Sequence, residues 1–493
     1  MEQLDRRTFL KAGAVAVLTL PVVGHAGARA RAALAADPAV VGSWSSPFDM
    51  TGVAIHATLT QIDDILFFSD VEGVVGEDHT NYAATWNWRT GAIQTAPLPY
   101  SRDNFCSGHV VLPDGRIFLA GGHALGTGKK QDPIGVPQTD TYDPTTRAWT
   151  QGPDMSEARW YPTAVNMPNR KVLIFGGQAK PNVPSNTVEE YDPATNVIRT
   201  LPSTATKALG LYPRMHLLPS GRVLKAGPQR STPVFNPATN SWSSLAPKLF
   251  GNRGYGSSAL LPGGRRVLVV GGQTGSTAPP TGTAEILDTS AASPAWRYTG
   301  SLTHPRLLAN LVTLPDGKLI IIGGGAAMRY TNPVKVPEMY DPAAGTWTPM
   351  AAQQAGRMYH ATALLLPDGR VLSAGQDNGS LESYGEIFSP PYLFKGARPT
   401  ITAAPTAVGY GQTLTITTPD AGNISSVTVI RAASVTHQID TDQRSVPLTF
   451  TASGDSLAAK SPANAALAPP GYYLLFIVNK TGVPSVAPWL KIG

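Results

Sequence analysis

The sequence of 493 residues predicts an all-β protein, and two observations carry that prediction. The first is the composition, in which 49 glycines and 44 prolines accompany only 15% charged residues. Such a chain favours many short strands joined by tight turns over long helices. The second is an internal repeat, in which an apolar strand, a Pro-Asp-Gly-like turn and another apolar strand end in glycine. A chain of this length can bury a large core and is expected to form more than one domain.

The repeats end at regularly spaced glycines. The closing residues are Gly122, Gly177, Gly227, Gly272, Gly324 and Gly375. Their spacing of about 50 residues is the period of kelch-type propeller repeats. A weaker copy at 56–70 comes first and makes seven copies. A further strand follows each unit, often marked by tryptophan, so that each repeat supplies the four strands of one blade. We therefore predict a seven-bladed kelch-type β-propeller over residues 37–391.

The two ends of this region predict how the ring closes. The seventh unit stops at 386–391 without an outer strand, while Trp44 lies in an N-terminal stretch that belongs to no repeat. We expect the N-terminal strand to complete the last blade, and the blade tryptophans to serve packing. Residues 392–493 lose the repeat and alternate between apolar and polar positions, with Pro and Gly between the segments. This pattern predicts an immunoglobulin-like β-sandwich.

The N-terminal segment 1–36 is typical of a bacterial export signal. Arg6 and Arg7 precede Phe9-Leu10-Lys11, an apolar run and small-residue cleavage sites, which is the twin-arginine pattern. The sequence thus predicts a secreted, extracytoplasmic protein. An uncleaved membrane anchor is the alternative, but the apolar run is short for a span, and we expect no stable membrane partner. The net charge of +6 includes no dense basic run, so nucleic-acid binding has little support. Oligomeric state is not predicted.

Three chemically distinctive residues share one register of the repeat. Cys106, the single cysteine, Tyr161 and Tyr359 each lie 16 residues before the closing glycine of their unit. That position is the entry of the innermost strand, so we expect their side chains to meet near the propeller axis. The same count in the other repeats reaches Leu211, Gly256 and Leu308.

His360 follows Tyr359 directly. Imidazole suits copper, zinc and iron, and phenolate is an oxygen donor. A lone Tyr-His pair more often only lines a channel. The shared register with a second tyrosine and the only cysteine favours a metal site.

Five segments resemble the copper radical oxidases, the galactose oxidase and glyoxal oxidase group. They are FCSGH around Cys106, RWYPT around Tyr161, RMYHATALLLPDGRV at 357–371, VTHQIDTDQRSVPLTF at 435–450 and APPGYYLLFIV at 468–478. In that family a loop of the sandwich sends a histidine into the propeller, and the matching residue here is His437. The resemblance covers essentially the whole chain after the signal.

The resemblance implies a cofactor and a reaction. The Cys106 sulfur would be joined to the Tyr161 ring by a thioether, and this tyrosine would carry a radical. One copper ion would be bound by Tyr161, His360 and His437, with Tyr359 as the axial ligand and general base. The implied activity is oxidation of a small aldehyde or primary alcohol by O₂, with release of hydrogen peroxide.

Some features depart from the family pattern. Galactose oxidase stacks a tryptophan on the cross-linked tyrosine from a position that is Ala179 here, so the sequence leaves the stacking residue unassigned; Trp160 is interpreted as part of the shared RWYPT motif. The stretch before the first blade is too short for the carbohydrate-binding sandwich that begins galactose oxidase. These departures favour small aldehydes or alcohols, although a glycan substrate stays open. Arg214, in GLYPR at 210–214, is the candidate substrate-binding residue.

Two other function classes compete with the oxidase. A non-catalytic kelch protein could bind a glycan or peptide and keep the site as a relic. The complete set of five residues speaks against a relic. A propeller hydrolase such as a sialidase would need carboxylates and arginines at the centre, and the register positions contain none.

Overall fold

The computed structural model describes residues 36–70, 82–99, 103–124, 134–327, 331–376 and 382–493. The all-β prediction is confirmed. In these ranges the helical segments are all short, namely Pro38–Val41 and the 3-10 turns Ser203–Ala205, Pro391–Phe394 and Ala421–Asn423. Residues 37–493 form one compact unit. Across the described ranges, none of the helices has both the length and the apolarity needed to cross a membrane. The predicted export signal lies outside the described residues, apart from Ala36.

Within the described part of 37–391, seven antiparallel sheets of four or more strands follow the order of the sequence repeats, and we number them 1 to 7. Sheet 1 has strands Val53–Leu59, Asp64–Asp70, Tyr82–Asn87 and Ile93–Thr95; sheet 2 has Gly108–Val111, Ile117–Ala120, Thr139–Asp143 and Ala148–Gln151; sheet 3 has Thr163–Asn166, Val172–Phe175, Glu189–Asp192 and Val197–Thr200. A small hairpin, Gln178–Lys180 with Val183–Pro184, lies beside sheet 3 in the chain.

The remaining sheets of this region have the same layout. Sheet 4 has strands Arg214–Leu217, Val223–Gly227, Thr232–Asn236 and Ser241–Leu245; sheet 5 has Ser257–Leu260, Arg266–Val270, Ala284–Asp288 and Trp296–Thr299; sheet 6 has Leu307–Thr313, Leu319–Gly325, Glu338–Asp341 and Thr346–Pro349; sheet 7 has Thr362–Leu365, Val371–Ala374 and Tyr384–Ser389.

The N-terminal strands complete sheet 7. Ser43–Trp44 pairs with Tyr384–Ser389, placing Trp44 opposite Phe388, and Phe48–Asp49 pairs with the same strand. The first strand of sheet 7 also packs against that of sheet 1. The chain therefore closes the ring with its own N-terminal strand, in the way that the missing outer strand predicted.

Tryptophans on the outer strands join neighbouring sheets. The Trp149 indole N–H donates to the Ala96 carbonyl at 2.7 Å, and the Trp242 indole donates to the Ala205 carbonyl at 2.7 Å. Trp44 donates in the same way to Ala351 at 2.8 Å. Because a buried indole N–H needs an acceptor, these contacts confirm the packing role predicted for these tryptophans.

Buried arginine–glutamate pairs recur at the entries of four sheets. In each pair, an arginine just before the innermost strand reaches a fully buried glutamate on the third strand. The pairs are Arg159–Glu189, Arg253–Glu285, Arg306–Glu338 and Arg357–Glu386. Since removing one partner would leave an uncompensated buried charge, such pairs hold the strand entries in place.

Residues 398–493 form a sandwich of two sheets. One contains Ala407–Val408, Trp489–Ile492, Gly471–Asn479, Ile424–Arg431 and Arg444–Leu448, and the other contains Thr413–Thr417, Ser456–Lys460 and Phe450–Ser453. Buried side chains of both sheets share one core.

A loop of this sandwich enters the propeller. Its strands Ser434–Thr436 and Ile439–Asp440 extend the inner edge of sheet 1, where Thr436 pairs with His56. The turn between these two strands carries His437.

Candidate active site

The backbone turns to a left-handed conformation where the innermost strands begin. The φ angles are 65° at Cys106, 61° at Tyr161 and 66° at His360. Residues with a side chain rarely adopt this region, and such strained positions cluster at functional sites. The strain falls at, or one residue after, the register position that the repeat count identified.

The structure brings the predicted site residues together. The hydroxyl oxygens of Tyr161 and Tyr359 lie 2.6 Å apart. The Tyr359 ring stacks on His360 with centroids 3.8 Å apart, and the His360 ring lies 4.5 Å from that of His437. The Cys106 sulfur is 3.8 Å from Nε2 of His437. One small volume near the axis thus contains a thiol, two phenols and two imidazoles.

Asp442 anchors the loop that brings His437 into this volume. Its carboxylate accepts hydrogen bonds from the Val111 backbone N–H (2.6 Å), Asn166 (2.7 Å), Ser434 (2.8 Å) and Arg431 (3.1 Å). Since Val111 and Asn166 belong to sheets 2 and 3, the carboxylate ties the sandwich loop directly to the ring.

Thr436 orients the His437 imidazole. Its hydroxyl oxygen lies 2.6 Å from Nδ1 of His437, while Nε2 faces the Cys106 sulfur. When Nδ1–H donates to this hydroxyl, Nε2 keeps its lone pair for a metal. A residue that hydrogen-bonds the ring nitrogen not used for the metal fixes the tautomer and orientation of a ligand histidine.

A second pair of buried histidines lies behind the thiol. Nε2 of His56 accepts the Cys106 backbone N–H at 3.1 Å, so the proton of neutral His56 is on Nδ1, which lies 3.4 Å from Nδ1 of His109. Burial lowers the pKa of both rings, that of His109 to about 4. Both histidines are therefore neutral, and His56 holds the backbone of Cys106 in position. Neither histidine lies in the register of the site, so the repeat count does not identify them.

Two aromatic rings lie against the ring of Tyr161. Trp160 is 3.9 Å away at an interplanar angle of 11°, and Tyr212 is 4.4 Å away at 20°. Both are nearly parallel to Tyr161 at stacking distance. Two rings this close would overlap if they shared one face, so they lie on opposite faces. The tryptophan that stacks on Tyr161, which the sequence left unassigned, is therefore its neighbour Trp160.

Tyr212 was missed because the repeat count selected Leu211. In sheet 4 the residue with left-handed backbone is Tyr212, with φ 39°, one position after the Leu211 that the count reaches. Its hydroxyl donates to the Ser107 carbonyl at 2.8 Å. The shared dipeptides Tyr161-Pro162 and Tyr212-Pro213 were the available signal.

Arg214, the predicted substrate residue, is buried beside these rings. Its guanidinium donates to the Tyr212 carbonyl at 3.0 Å and the Gly256 carbonyl at 3.2 Å. Burial lowers its pKa to about 10. Nearby, the Tyr255 ring contacts the Tyr359 ring edge-on at 6.5 Å and lines a pocket of about 230 Å³ with Gln229 and Gln273. The role of Arg214 in substrate binding stays a prediction.

Burial dominates the electrostatics of the site. Desolvation raises the pKa of the Tyr161 phenol and of the Cys106 thiol, and it lowers the pKa of His437, with further lowering by His360. Tyr161, Cys106 and His437 are thus neutral in the absence of a metal. A phenolate here requires a cation beside it, because a buried charge without a partner is costly.

The residues present fit a copper ion. Two phenol oxygens and two imidazoles form an N₂O₂ donor set, which suits Cu(II). No group of three or more His, Cys, Asp or Glu side chains arranged to hold a metal exists in the ranges that the structure describes. A metal at this position therefore depends on the tyrosines.

Comparisons with known proteins agree with this site. The chain matches the family model "Glyoxal oxidase N-terminus" over residues 70–240 and 274–390 and the model "Galactose oxidase-like, Early set domain" over 398–492. Galactose oxidase of Gibberella zeae is 29% identical over 446 residues, which cover 83% of this chain and 64% of that protein. Aldehyde oxidase GLOX of Vitis pseudoreticulata is 29% identical over 448 residues, 80% of this chain and 83% of that protein.

A solved structure supports the same conclusion. A fungal alcohol oxidase of the AA5 family, in complex with copper, is similar with a TM-score of 0.80 and 27% identity, covering 92% of this chain and 99% of its own. The glyoxal oxidase model alone spans more than half of the chain. The chain therefore belongs to the glyoxal oxidase family, with a galactose oxidase-like early-set domain at its C-terminus.

Proposed function

We propose that this protein is a copper radical oxidase that oxidises a small aldehyde or primary alcohol with O₂. For an alcohol the balanced reaction is RCH₂OH + O₂ → RCHO + H₂O₂. The observation that carries the proposal is the approach of the Tyr161 and Tyr359 hydroxyls to 2.6 Å beside His360 and His437. Names of relatives point the same way, since they include galactose oxidase, aldehyde oxidase and a copper-bound alcohol oxidase.

Tyr161, Tyr359, His360 and His437 would hold the copper ion. Thr436 supports the assignment of Nε2 as the donor atom of His437, because it engages Nδ1. When bound, copper would supply a one-electron oxidant and lower the pKa of the Tyr161 phenol, which burial raises.

The chain's own groups would carry out the proton and hydrogen transfers. Tyr359 would accept the substrate hydroxyl proton as general base. Tyr161, in its oxidised form, would take a hydrogen atom from the substrate carbon. Its hydroxyl is already hydrogen-bonded to that of Tyr359, so both acceptors face one point. Trp160 and Tyr212 cover the faces of the Tyr161 ring and exclude water from them.

We further propose that Cys106 is joined to the Tyr161 ring by a thioether. Forming this C–S bond removes one hydrogen from sulfur and one from the ring, and O₂ is the oxidant. Burial raises the pKa of the Cys106 thiol, and hydrogen bonding with the Tyr161 hydroxyl lowers this pKa to a smaller extent. A sulfur substituent makes the phenol easier to oxidise and would account for the single cysteine.

The location of the protein outside the cytoplasm is proposed from the sequence alone. The Arg6-Arg7 pattern favours export by the twin-arginine route, which carries folded proteins and suits a chain that acquires its metal before export.

Mass measurement after copper loading in air tests the proposal. We expect the intact protein to lose two hydrogens, and peptide mapping to find the Cys106 and Tyr161 peptides joined. Peroxide release should follow with aldehydes or primary alcohols. A free Cys106 thiol after complete loading, with no peroxide from any substrate, would refute the oxidase function.

A further inference from the structure

His56 is a buried histidine that contacts the cross-link cysteine, and the proposed reaction does not use it. It is fully buried in the first strand of sheet 1, Val53–Leu59. Its Nε2 accepts the backbone N–H of Cys106 at 3.1 Å. The Phe68 ring stacks on the imidazole with centroids 4.5 Å apart at 11°, and Nδ1 of His109 lies 3.4 Å from Nδ1 of His56. The imidazole is therefore held in one orientation, with the lone pair of Nε2 directed at Cys106.

This hydrogen bond differs from those made at the entries of the next two sheets. The N–H of Tyr161 donates to the Cys106 carbonyl at 3.0 Å, and the N–H of Tyr212 donates to the Tyr161 carbonyl at 2.8 Å. Both residues have a left-handed backbone, as Cys106 does. At Cys106 the acceptor of the N–H is instead a side chain, that of His56. The position that carries the cross-link sulfur thus depends on an imidazole, where the entries of sheets 3 and 4 use the main chain.

Two hydrogen bonds hold the strained backbone of Cys106. Its φ of 65° is unfavourable for a residue with a side chain and persists only where the surroundings hold it. Tyr161 donates to the carbonyl and His56 accepts the N–H. Without the imidazole the buried N–H would lose its acceptor, which favours rotation of the peptide group and displacement of the thiol. His56 therefore stabilises the conformation in which the Cys106 thiol contacts Tyr161.

We propose that His56 is a positioning residue for thioether formation and acts through the backbone of Cys106. The inference rests on the proposed thioether. In that step the S–H bond of Cys106 and one C–H bond of the Tyr161 ring break, and a C–S bond forms. O₂ accepts the two electrons and two protons and becomes hydrogen peroxide. His56 exchanges no proton in the step. It raises the fraction of molecules in which the sulfur and the ring carbon are oriented to react.

The rate of cross-linking in His56 variants tests the proposal. The full chain is loaded with Cu(I) without O₂, and the loss of two hydrogens is then timed by intact mass after O₂ is admitted. His56→Phe keeps a ring to stack on Phe68 but has no acceptor, and it should slow cross-linking about tenfold or more. His56→Gln can return an acceptor oxygen to the Cys106 N–H and should recover most of the wild-type rate. His304→Phe, at a partly exposed histidine before sheet 6, is the matched control and should cross-link at the wild-type rate.

Copper affinity separates positioning from a general structural defect. The contact between Thr436 and His437 does not involve His56, so chelator competition should give His56→Phe an affinity within about threefold of wild type. Wild-type cross-linking in His56→Phe, or an equal loss of affinity and cross-linking rate, would overturn the positioning role. A rate in His56→Gln no faster than in His56→Phe would also overturn it, because the acceptor would then be irrelevant.

A measurement on the metal-free wild-type protein needs no variant. Because the chain contains a single cysteine, isotopic labelling of cysteine nitrogen gives one amide signal in an NMR spectrum. With the histidine nitrogens labelled as well, this amide should show a scalar coupling across an N–H···N hydrogen bond to one imidazole. Absence of the coupling would overturn the role of His56. Absence of the thioether from copper-loaded wild type would instead refute the cross-link itself, and the role of His56 with it. Peroxide release by cross-linked wild type judges the oxidase function separately.

Discussion

The indole of Trp160 lies parallel to the phenol of its neighbour Tyr161, with the ring centroids 3.9 Å apart at an angle of 11°. Tyr212 stacks on the other face at 4.4 Å. Offset aromatic stacking contributes about 0.5–1.5 kcal/mol beyond burial. Around an oxidised phenol the two rings would also keep water and reductants away. Neighbours in sequence can stack in this way because the left-handed backbone at Tyr161 redirects its side chain.

Replacing Trp160 should shorten the lifetime of the oxidised enzyme. We expect Trp160→Leu to bind copper and form the thioether, but to lose its visible radical absorbance about tenfold faster, in line with the loss of one stacking interaction. Decay of that absorbance after oxidation is the measurement. Tyr212→Leu should act in the same direction from the other face. Tyr212→Phe keeps the ring and loses the hydroxyl that contacts Ser107 and Thr436, and it is the matched control. Equal decay in all three variants and the wild type would contradict a protective role for the stack.

Removing the proposed base should slow turnover without preventing assembly of the cofactor. Tyr359→Phe loses the hydroxyl that lies 2.6 Å from Tyr161, and general bases typically contribute about 10²–10⁴-fold in rate. We therefore expect kcat to fall by at least about 10²-fold while the Cys106–Tyr161 mass loss persists. Peroxide assays and peptide mapping measure the two quantities. Tyr298→Phe, on the exposed surface, controls for the loss of a phenol. Wild-type turnover in Tyr359→Phe would show that another group removes the proton.

Thr436 should control metal affinity through His437. Thr436→Val keeps the shape of the side chain but removes the hydroxyl 2.6 Å from Nδ1. Loss of such a supporting contact typically weakens metal binding about 10–100-fold. Competition with a chelator of known affinity measures the change. Thr451→Val, at an exposed position in the sandwich, should show wild-type affinity. Equal affinities in the two variants would mean that packing alone orients the His437 ring.

The loop that carries His437 should make stability depend on pH through Asp440. Burial raises the pKa of this carboxyl to about 7, with a further contribution from Asp442, whereas an unfolded aspartate titrates near about 3.9. The folded protein therefore holds a proton that the unfolded chain has released between these values. The stability that this group contributes is present at low pH and is lost as the pH rises toward 7.

Asp440→Asn tests that dependence. The amide oxygen can still accept the backbone N–H groups of Asp442 and Gln443, and the variant carries no titrating charge. Its unfolding temperature relative to the wild type should rise between pH 5 and pH 8. Asp455→Asn, an exposed change in the sandwich, is the control. Parallel unfolding curves for Asp440→Asn and wild type across this range would contradict the prediction.

The repeat and the register of three site residues could be predicted from the sequence. The spacing of Gly122, Gly177 and Gly375 determined the repeat, and with it the common register of Cys106, Tyr161 and Tyr359. Those tyrosine hydroxyls meet because a repeat with a regular period places equivalent positions at the same depth. The all-β class was equally accessible, since composition and turn residues are local properties.

Only the tertiary structure decided the surroundings of the site. Cys106, Tyr161 and His437 are surrounded by Trp160, Tyr212, His56 and Thr436. These contacts depend on left-handed backbone angles and on a loop from another sheet. No periodicity in the sequence encodes either feature. The burial of Lys225 and Lys248 was also hidden, because a lysine in a sequence is expected to be a solvated surface residue until the fold shows what covers it. Short-range patterns specify which strands form and where they repeat, whereas contacts between distant segments set the orientation, charge and exposure of each side chain.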